Sequence, residues 1–276
     1  MPQNEIPQAP PTHVLRAFGL TGAPTLLSGG RGNTWRVDDA VLKPFHGDVQ
    51  ELEFQTHLLK TPLQSVRVVA PRLTNSGGYT TAGWAAWPYL SGDYRRGQWL
   101  EIIAAGERFH QALQEVPEPE FMRRRTDPWA RADRAAWSQP LLTPYLDDES
   151  VRRLSTLLAP VLVENQVVHC DLTGNVLFER GAPPAIIDLS LYFRPRAYAT
   201  AIVVADALAW ESASAELADW AAMSNPTVFG QCLVRALLFR IVTDLILADA
   251  DTLESTRSEA YNTAIEVAFR LIKQRL

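Results

Sequence analysis

Residues 167–190, VVHCDLTGNVLFERGAPPAIIDLS, carry two aspartates, Asp171 and Asp188, each at the edge of a short apolar run. Val167-Val168 leads into His169-Cys170-Asp171, and Asn175 stands four residues beyond that aspartate. Val176-Leu177-Phe178 has the composition of a strand. Arg180 to Pro184 has that of a turn, and Ala185-Ile186-Ile187 that of a second strand ending at Asp188. Such a hairpin predicts that Asp171, Asn175 and Asp188 gather at one end of its strands. Carboxylate, amide and carboxylate form an oxygen-rich donor set of the kind that binds a hard cation such as Mg²⁺, usually together with substrate phosphates.

A second stretch carries chemistry further upstream. Residues 26–45 read LLSGGRGNTWRVDDAVLKPF. Ser28, Gly29, Gly30 and Gly32 form a glycine-rich turn between Leu26-Leu27 and a strand at Thr34–Val37. Asp38-Asp39 predicts a tight turn, and Ala40 to Lys43 a further strand. Without Cβ atoms, glycines let backbone N–H groups approach phosphate oxygens closely. Lys43 closes the next strand after an apolar pair. A helix follows over Gly47–Lys60, with Asp48 as its N-cap. Val49, Leu52, Thr56 and Leu59 share its apolar face with Glu53 beside them, and Glu51 is expected to point outward.

The order glycine turn, Lys43, Glu53, Asp171, Asn175, Asp188 resembles that of kinase-like phosphotransferases, and most of all the aminoglycoside phosphotransferase branch with its related small-molecule kinases. The resemblance spans about residues 20 to 210. It implies an α+β, protein-kinase-like two-lobed fold. Residues 1–90 would form a nucleotide-binding lobe of antiparallel sheet plus one helix, and residues 91–276 a mainly helical catalytic and acceptor lobe. It implies transfer of the γ-phosphoryl group of ATP or GTP to a hydroxyl of a small molecule, assisted by Mg²⁺. Asp171 would be the base, Asn175 and Asp188 the metal ligands, and Lys43 the phosphate partner, positioned by Glu53 or, alternatively, by Glu51. Trp87 and Tyr89, in Trp87-Pro88-Tyr89-Leu90-Ser91-Gly92, would belong to the segment that receives the adenine. The kinase pattern has its asparagine five residues after the aspartate; here the spacing is four. That departure motivates the alternative of a catalytically degenerate pseudokinase acting as a regulatory or scaffold protein.

Composition limits the other possibilities. A chain of 276 residues, 47% of them hydrophobic, buries a large core in one or two domains. A net charge of −5 gives no electrostatic footprint for nucleic acid. Cys170 and Cys232 have no paired spacing, so neither a disulfide framework nor a zinc cluster is expected, and a reducing, cytoplasmic setting is. No signal-peptide pattern opens the chain. Arg235, Arg240 and Asp244 interrupt the longest apolar stretch, so no membrane span is expected.

Helical periodicity covers Gln98–Glu115, Asp148–Val163, Tyr198–Trp210, Val228–Ala248 and Ser258–Leu276. A short helix is expected over Thr12–Phe18, capped by Thr12, and strands at Val66–Val69, Tyr79-Thr80 and Trp84–Trp87. His110 falls on an apolar helix face and reads as a core histidine. Asp206, inside an apolar helix, reads as a brace for the catalytic loop through backbone hydrogen bonds, by the same resemblance. Pro117–Pro144, rich in arginine and proline, reads as a solvated insertion.

Overall fold

Strand periodicity explains the first part of the chain. The computed structural model describes residues 8–28, 32–60, 63, 65–248 and 254–273. The first elements are α1 (Thr12–Ala17), β1 (Thr25–Leu26), β2 (Trp35–Val37), β3 (Ala40–Pro44), α2 (Val49–Leu58), β4 (Thr80–Thr81) and β5 (Trp84–Pro88). The five strands form one antiparallel sheet in the order β1-β2-β3-β5-β4. Trp35, Val37, Ala40, Leu42, Trp84 and Ala86 pack with Val14, Leu15, Phe18 and Leu20 in one buried cluster, so one sheet face closes on α1. Val41, Lys43, Ala85 and Trp87 therefore point to the opposite face, by the two-residue alternation of strands. Asp38 turns the chain between β2 and β3 at φ +52, a conformation Asp tolerates better than most residues. Its carboxylate accepts from the amides of Thr21 and Gly22 at 3.1 and 3.0 Å. These backbone bonds hold it below the ordinary carboxylate range.

Helices dominate the remainder: α3 (Trp99–Ala112), α4 (Glu120–Arg124), α5 (Pro128–Trp137), α6 (Gln139–Leu142) and α7 (Glu149–Ser155). Four short strands follow, β6 (Gln166–His169), β7 (Val176–Leu177), β8 (Ala185–Ile186) and β9 (Leu191–Arg194). The chain then forms α8 (Arg196–Trp210), α9 (Ala215–Ala222), α10 (Pro226–Leu247) and α11 (Glu254–Lys273). α10 is buried nearly all round, which explains why apolar residues occupy most of its circumference, and α5, α8 and α11 pack on it. Gly106 of α3 faces Leu172: a Cβ there would stand 2.4 Å from a Leu172 methyl group, so the absent side chain leaves room for the loop after β6. No helix among the described residues is long and apolar enough to cross a membrane.

The chain divides into two compact units. One comprises residues 1–93 with Leu177–Ile187; the other comprises Tyr94–Val176 and 188–276. Within the first, Leu177–Ile187 is held by a parallel bridge between Arg67 and Ala185 and an antiparallel bridge between Asp93 and Phe178.

Several local expectations need correction. Pro11, not Thr12, occupies the N-cap of α1, and no side chain caps that helix. Val66–Val69 forms no strand; only Arg67 makes a bridge. Asp148 caps α7 by accepting from the Val151 amide, but the helix stops at Ser155 rather than reaching Val163. Pro117–Pro144 is not a solvated insertion. Its helix α5 buries Ala130, Ala132, Asp133, Ala135 and Ala136, a face of small side chains set among arginines.

Candidate functional site

Backbone pairing brings Asp171 and Asp188 to the same place. β6 and β9 are antiparallel, with His169 opposite Leu191. The Cys170 amide extends the ladder by donating to the Ser190 carbonyl at 2.9 Å. Asp171 and Asp188 therefore leave the same end of that ladder. The intervening hairpin of β7 and β8 is the predicted one, but the β6–β9 pairing, absent from the sequence reading, aligns the carboxylates.

The loop after β6 is a closed turn. The Asn175 amide donates to the Leu172 carbonyl at 2.9 Å, and Gly174 sits at φ +82. That is a β-turn with a left-handed third residue, which glycine adopts without a Cβ penalty. It accounts for the four-residue spacing. Asn175 Nδ2 donates to the Asp171 carbonyl at 2.7 Å and to Asp171 Oδ2 at 3.3 Å. Both partners are acceptors, so the nitrogen end of the amide faces the loop, and its oxygen is left as the donor atom for a ligand. Asp188 is exposed and adopts φ +50.

Two buried histidines support this loop from behind. The Asp171 amide donates to His169 Nδ1 at 3.1 Å, and the His169 amide donates to His110 Nε2 at 3.0 Å. Burial, then the neighbouring His169 and Arg196, push His110 down to about 3, so the ring stays neutral and can accept. His110 is thus structural, but specifically placed to hold the strand that ends in Asp171.

Sequence reasoning missed Arg240. This α10 residue donates from Nη2 to Asp171 Oδ1 at 2.9 Å, and from Nη2 and Nε to the two oxygens of Asp206 at 2.7 and 2.8 Å. Among the described residues Asp206 makes no side-chain bond to the backbone of the loop; it braces the loop through Arg240 and lies against the Thr173 side chain. Burial raises the Asp206 carboxyl, with Arg240 opposing the rise. Burial would lower Arg240, but the two carboxylates more than offset this and hold its proton. In the sequence Arg240 looked only like a charge interrupting an apolar helix.

The first unit holds the other group. Lys43 Nζ lies 4.9 Å from the centroid of the Trp87 ring, and Trp87 Nε1 donates to Gln55 Oε1 of α2 at 3.4 Å. On α2 the buried residues are Leu52 and Gln55. That rotates the helix from its expected setting: Glu53 is exposed and Glu51 is half-buried. Glu51 Oε2 lies 3.3 Å from where a Cβ on Gly47 would stand. The polar Gln55, not Thr56, completes the inward face because it has Trp87 to bond. The Tyr89 amide donates to the Asp39 carbonyl at 2.7 Å, so this N–H is already committed, and the Arg36 guanidinium stacks 3.9 Å above the Tyr89 ring. Ser28 is exposed and Gly32 has φ +71; Gly29 and Gly30 lie outside the described residues.

The second unit also contains a cavity of about 270 Å³ lined by Arg123, Arg125, Asp133, Arg134, Tyr192 and Arg194, among others. Glu118, Asp127 and Asp133 pair with Arg123, Arg125 and Arg194 respectively. Its charges are therefore largely compensated. Among the described residues no group of three or more His, Cys, Asp or Glu could hold a metal ion. The donor set of Asn175 and Asp188 nevertheless has the right chemistry for a hard cation that completes its shell with phosphate oxygens and water.

Comparison with known proteins bears on the family and the fold. The profile of a family described as "Phosphotransferase enzyme family" matches residues 24–222. No curated protein matches the chain. Among solved structures, a spectinomycin phosphotransferase bound to ADP and spectinomycin is similar, with TM-score 0.58 and 14% identity over 94% of this chain and 96% of that one. An aminoglycoside phosphotransferase from Alicyclobacillus acidocaldarius gives 0.57 and 14% over 98% and 97%. A thermostable aminoglycoside phosphotransferase mutant in complex with AMP-PNP and hygromycin B gives 0.61 and 11% over 95% and 97%. The α+β, protein-kinase-like fold expected from the sequence is the fold of these chains.

Proposed function

Because the chain belongs to the phosphotransferase enzyme family, we propose that it moves the γ-phosphoryl group of ATP or GTP to a hydroxyl of a small molecule. The observation that carries this reading is the convergence of Asp171, Asn175 and Asp188 at one end of the β6–β9 ladder, with the Asn175 amide nitrogen tied to Asp171. Asp171 orients the acceptor hydroxyl and takes its proton. Asn175 Oδ1 and the Asp188 carboxylate would hold Mg²⁺, which would offset negative charge on the transferring phosphoryl group. Lys43 supplies a cation to the nucleotide phosphates. Of the two candidate carboxylates on α2, the half-buried Glu51 suits its support better than the exposed Glu53. Catalysis of this kind rests on positioning and electrostatics more than on covalent chemistry.

A direct test is turnover of Mg²⁺-ATP, first with water and then with a panel of hydroxyl compounds. Asp171→Ala is expected to lose at least ~100-fold in turnover, the range typical of a general base. Undiminished turnover would remove Asp171 from its role. A second reading, a degenerate kinase fold acting as a regulatory or scaffold protein, draws support from the ion pair that Arg240 makes with the Asp171 carboxylate. Absence of turnover in the wild type with every acceptor would favour it.

A further inference from the structure

The Asp171 carboxylate is held at both oxygens, by Arg240 at Oδ1 and by Asn175 at Oδ2. The two donors differ in origin. Asn175 lies in the same short turn as Asp171, whereas Arg240 arrives from α10, 69 residues downstream. Exposure is graded along the chain of charges: the side chains of Asp206, Arg240 and Asp171 are 7, 15 and 44% accessible. The buried end is an anchor and the open end faces solvent. Asp206 engages Arg240 through two bonds, which fixes the plane of the guanidinium and leaves Nη2 aimed at Asp171.

We propose that Arg240, anchored on Asp206, is the positioning residue for the Asp171 base. The inference rests on the phosphotransferase reading above. In a loop one residue shorter than the kinase pattern, the turn and the bond to His169 set the Asp171 backbone, and Arg240 holds its carboxylate from outside the loop. Each carboxylate oxygen has a second lone pair, so a hydroxyl can still donate to Asp171 while the arginine holds it. A lysine cannot do the same, because one ammonium lacks the planar fork that grips both Asp206 oxygens and reaches Asp171. Arg240 touches no substrate in this scheme; it acts through Asp171.

The test compares wild type, Arg240→Met and Arg240→Lys, each checked for folding by its melting temperature, with Mg²⁺-ATP hydrolysis as the probe reaction. Misplacing a reacting group by about 1 Å costs on the order of 100-fold. The turnover number is therefore expected to fall at least ~10-fold in both variants, with KM for Mg²⁺-ATP within about twofold of wild type. A readout without nucleotide is the side-chain amide NMR signal of Asn175 in the ligand-free protein, expected to shift in both variants as the Asp171 carboxylate turns away. Should Arg240→Met fail to fold, Arg240→Lys, which keeps the charge, decides. Wild-type turnover with an unmoved Asn175 signal in a folded variant overturns the proposal alone. Raised turnover also overturns it, since Arg240 would then restrain the base. A wild type that neither binds nor hydrolyses ATP overturns the phosphotransferase reading, and this inference with it.

Discussion

His110 and His169 are both buried beneath Asp171, and the arrangement works only if His110 Nε2 carries no proton. Its Nδ1 has no protein partner among the described residues, so protonation would add a buried charge without a counterion. With a folded value of about 3 against an ordinary 6.5, the unfolded chain takes up a proton through this window and the folded chain does not. Stability from this group is therefore intact above pH 6.5 and is lost as pH falls towards 3, by up to about 1.4 kcal/mol per pH unit. His110→Gln keeps an acceptor near the Nε2 position and removes the titration. Its urea-unfolding free energy should fall less between pH 6.5 and 4.5 than that of wild type. An identical fall in the two proteins would show that His110 is not the group responsible. Asp171, Asn175, Asp188 and Lys43 could be picked out as candidates in the sequence because their order along the chain needs no tertiary information. Arg240 was not, because a guanidinium in an apolar helix shows its purpose only when Asp206 and Asp171 are seen around it.

At the scale of elements, the turn Leu172–Asn175 depends on Gly174. Its φ of +82 is a region that side-chain-bearing residues rarely adopt, although a Cβ there would meet nothing within 4 Å. Gly174→Ala should therefore act by backbone strain alone, costing about 1–2 kcal/mol, read as a lower midpoint in urea unfolding. No loss of stability would mean that the turn adopts another conformation. The strands β7 and β8 were readable from short apolar runs bounded by turn residues. The pairing of β6 with β9 was not: Leu191-Tyr192-Phe193-Arg194 has no alternation, and its partner lies across the whole hairpin. The rotation of α2 escaped for a related reason. Gln55 is polar by type, yet it is buried with the Trp87 indole bonded to it, and that reverses the exposures expected of Glu51 and Glu53.

For the whole molecule, the path of the chain matters as much as its elements. It leaves the first unit after Asp93, returns to it for Leu177–Ile187, and leaves again at Asp188. A boundary drawn from sequence after Leu90 contains only the first of these crossings, since an apolar run such as Val176–Phe178 reads the same whichever unit it packs on. Asp171 and Asp188 thus lie on either side of an excursion, and the β6–β9 ladder restores their proximity. Under the proposed function this arrangement serves a metal-dependent nucleotide. The most direct measurement is the melting temperature with and without ATP and MgCl₂, in wild type and Asp188→Ala. Binding to the folded state alone stabilises by about 2.7 kcal/mol at a hundred times the dissociation constant. In wild type a rise of several degrees is expected that requires both ATP and Mg²⁺ and disappears in the variant. No rise in wild type at nucleotide concentrations well above millimolar, or an equal rise in Asp188→Ala, would contradict it.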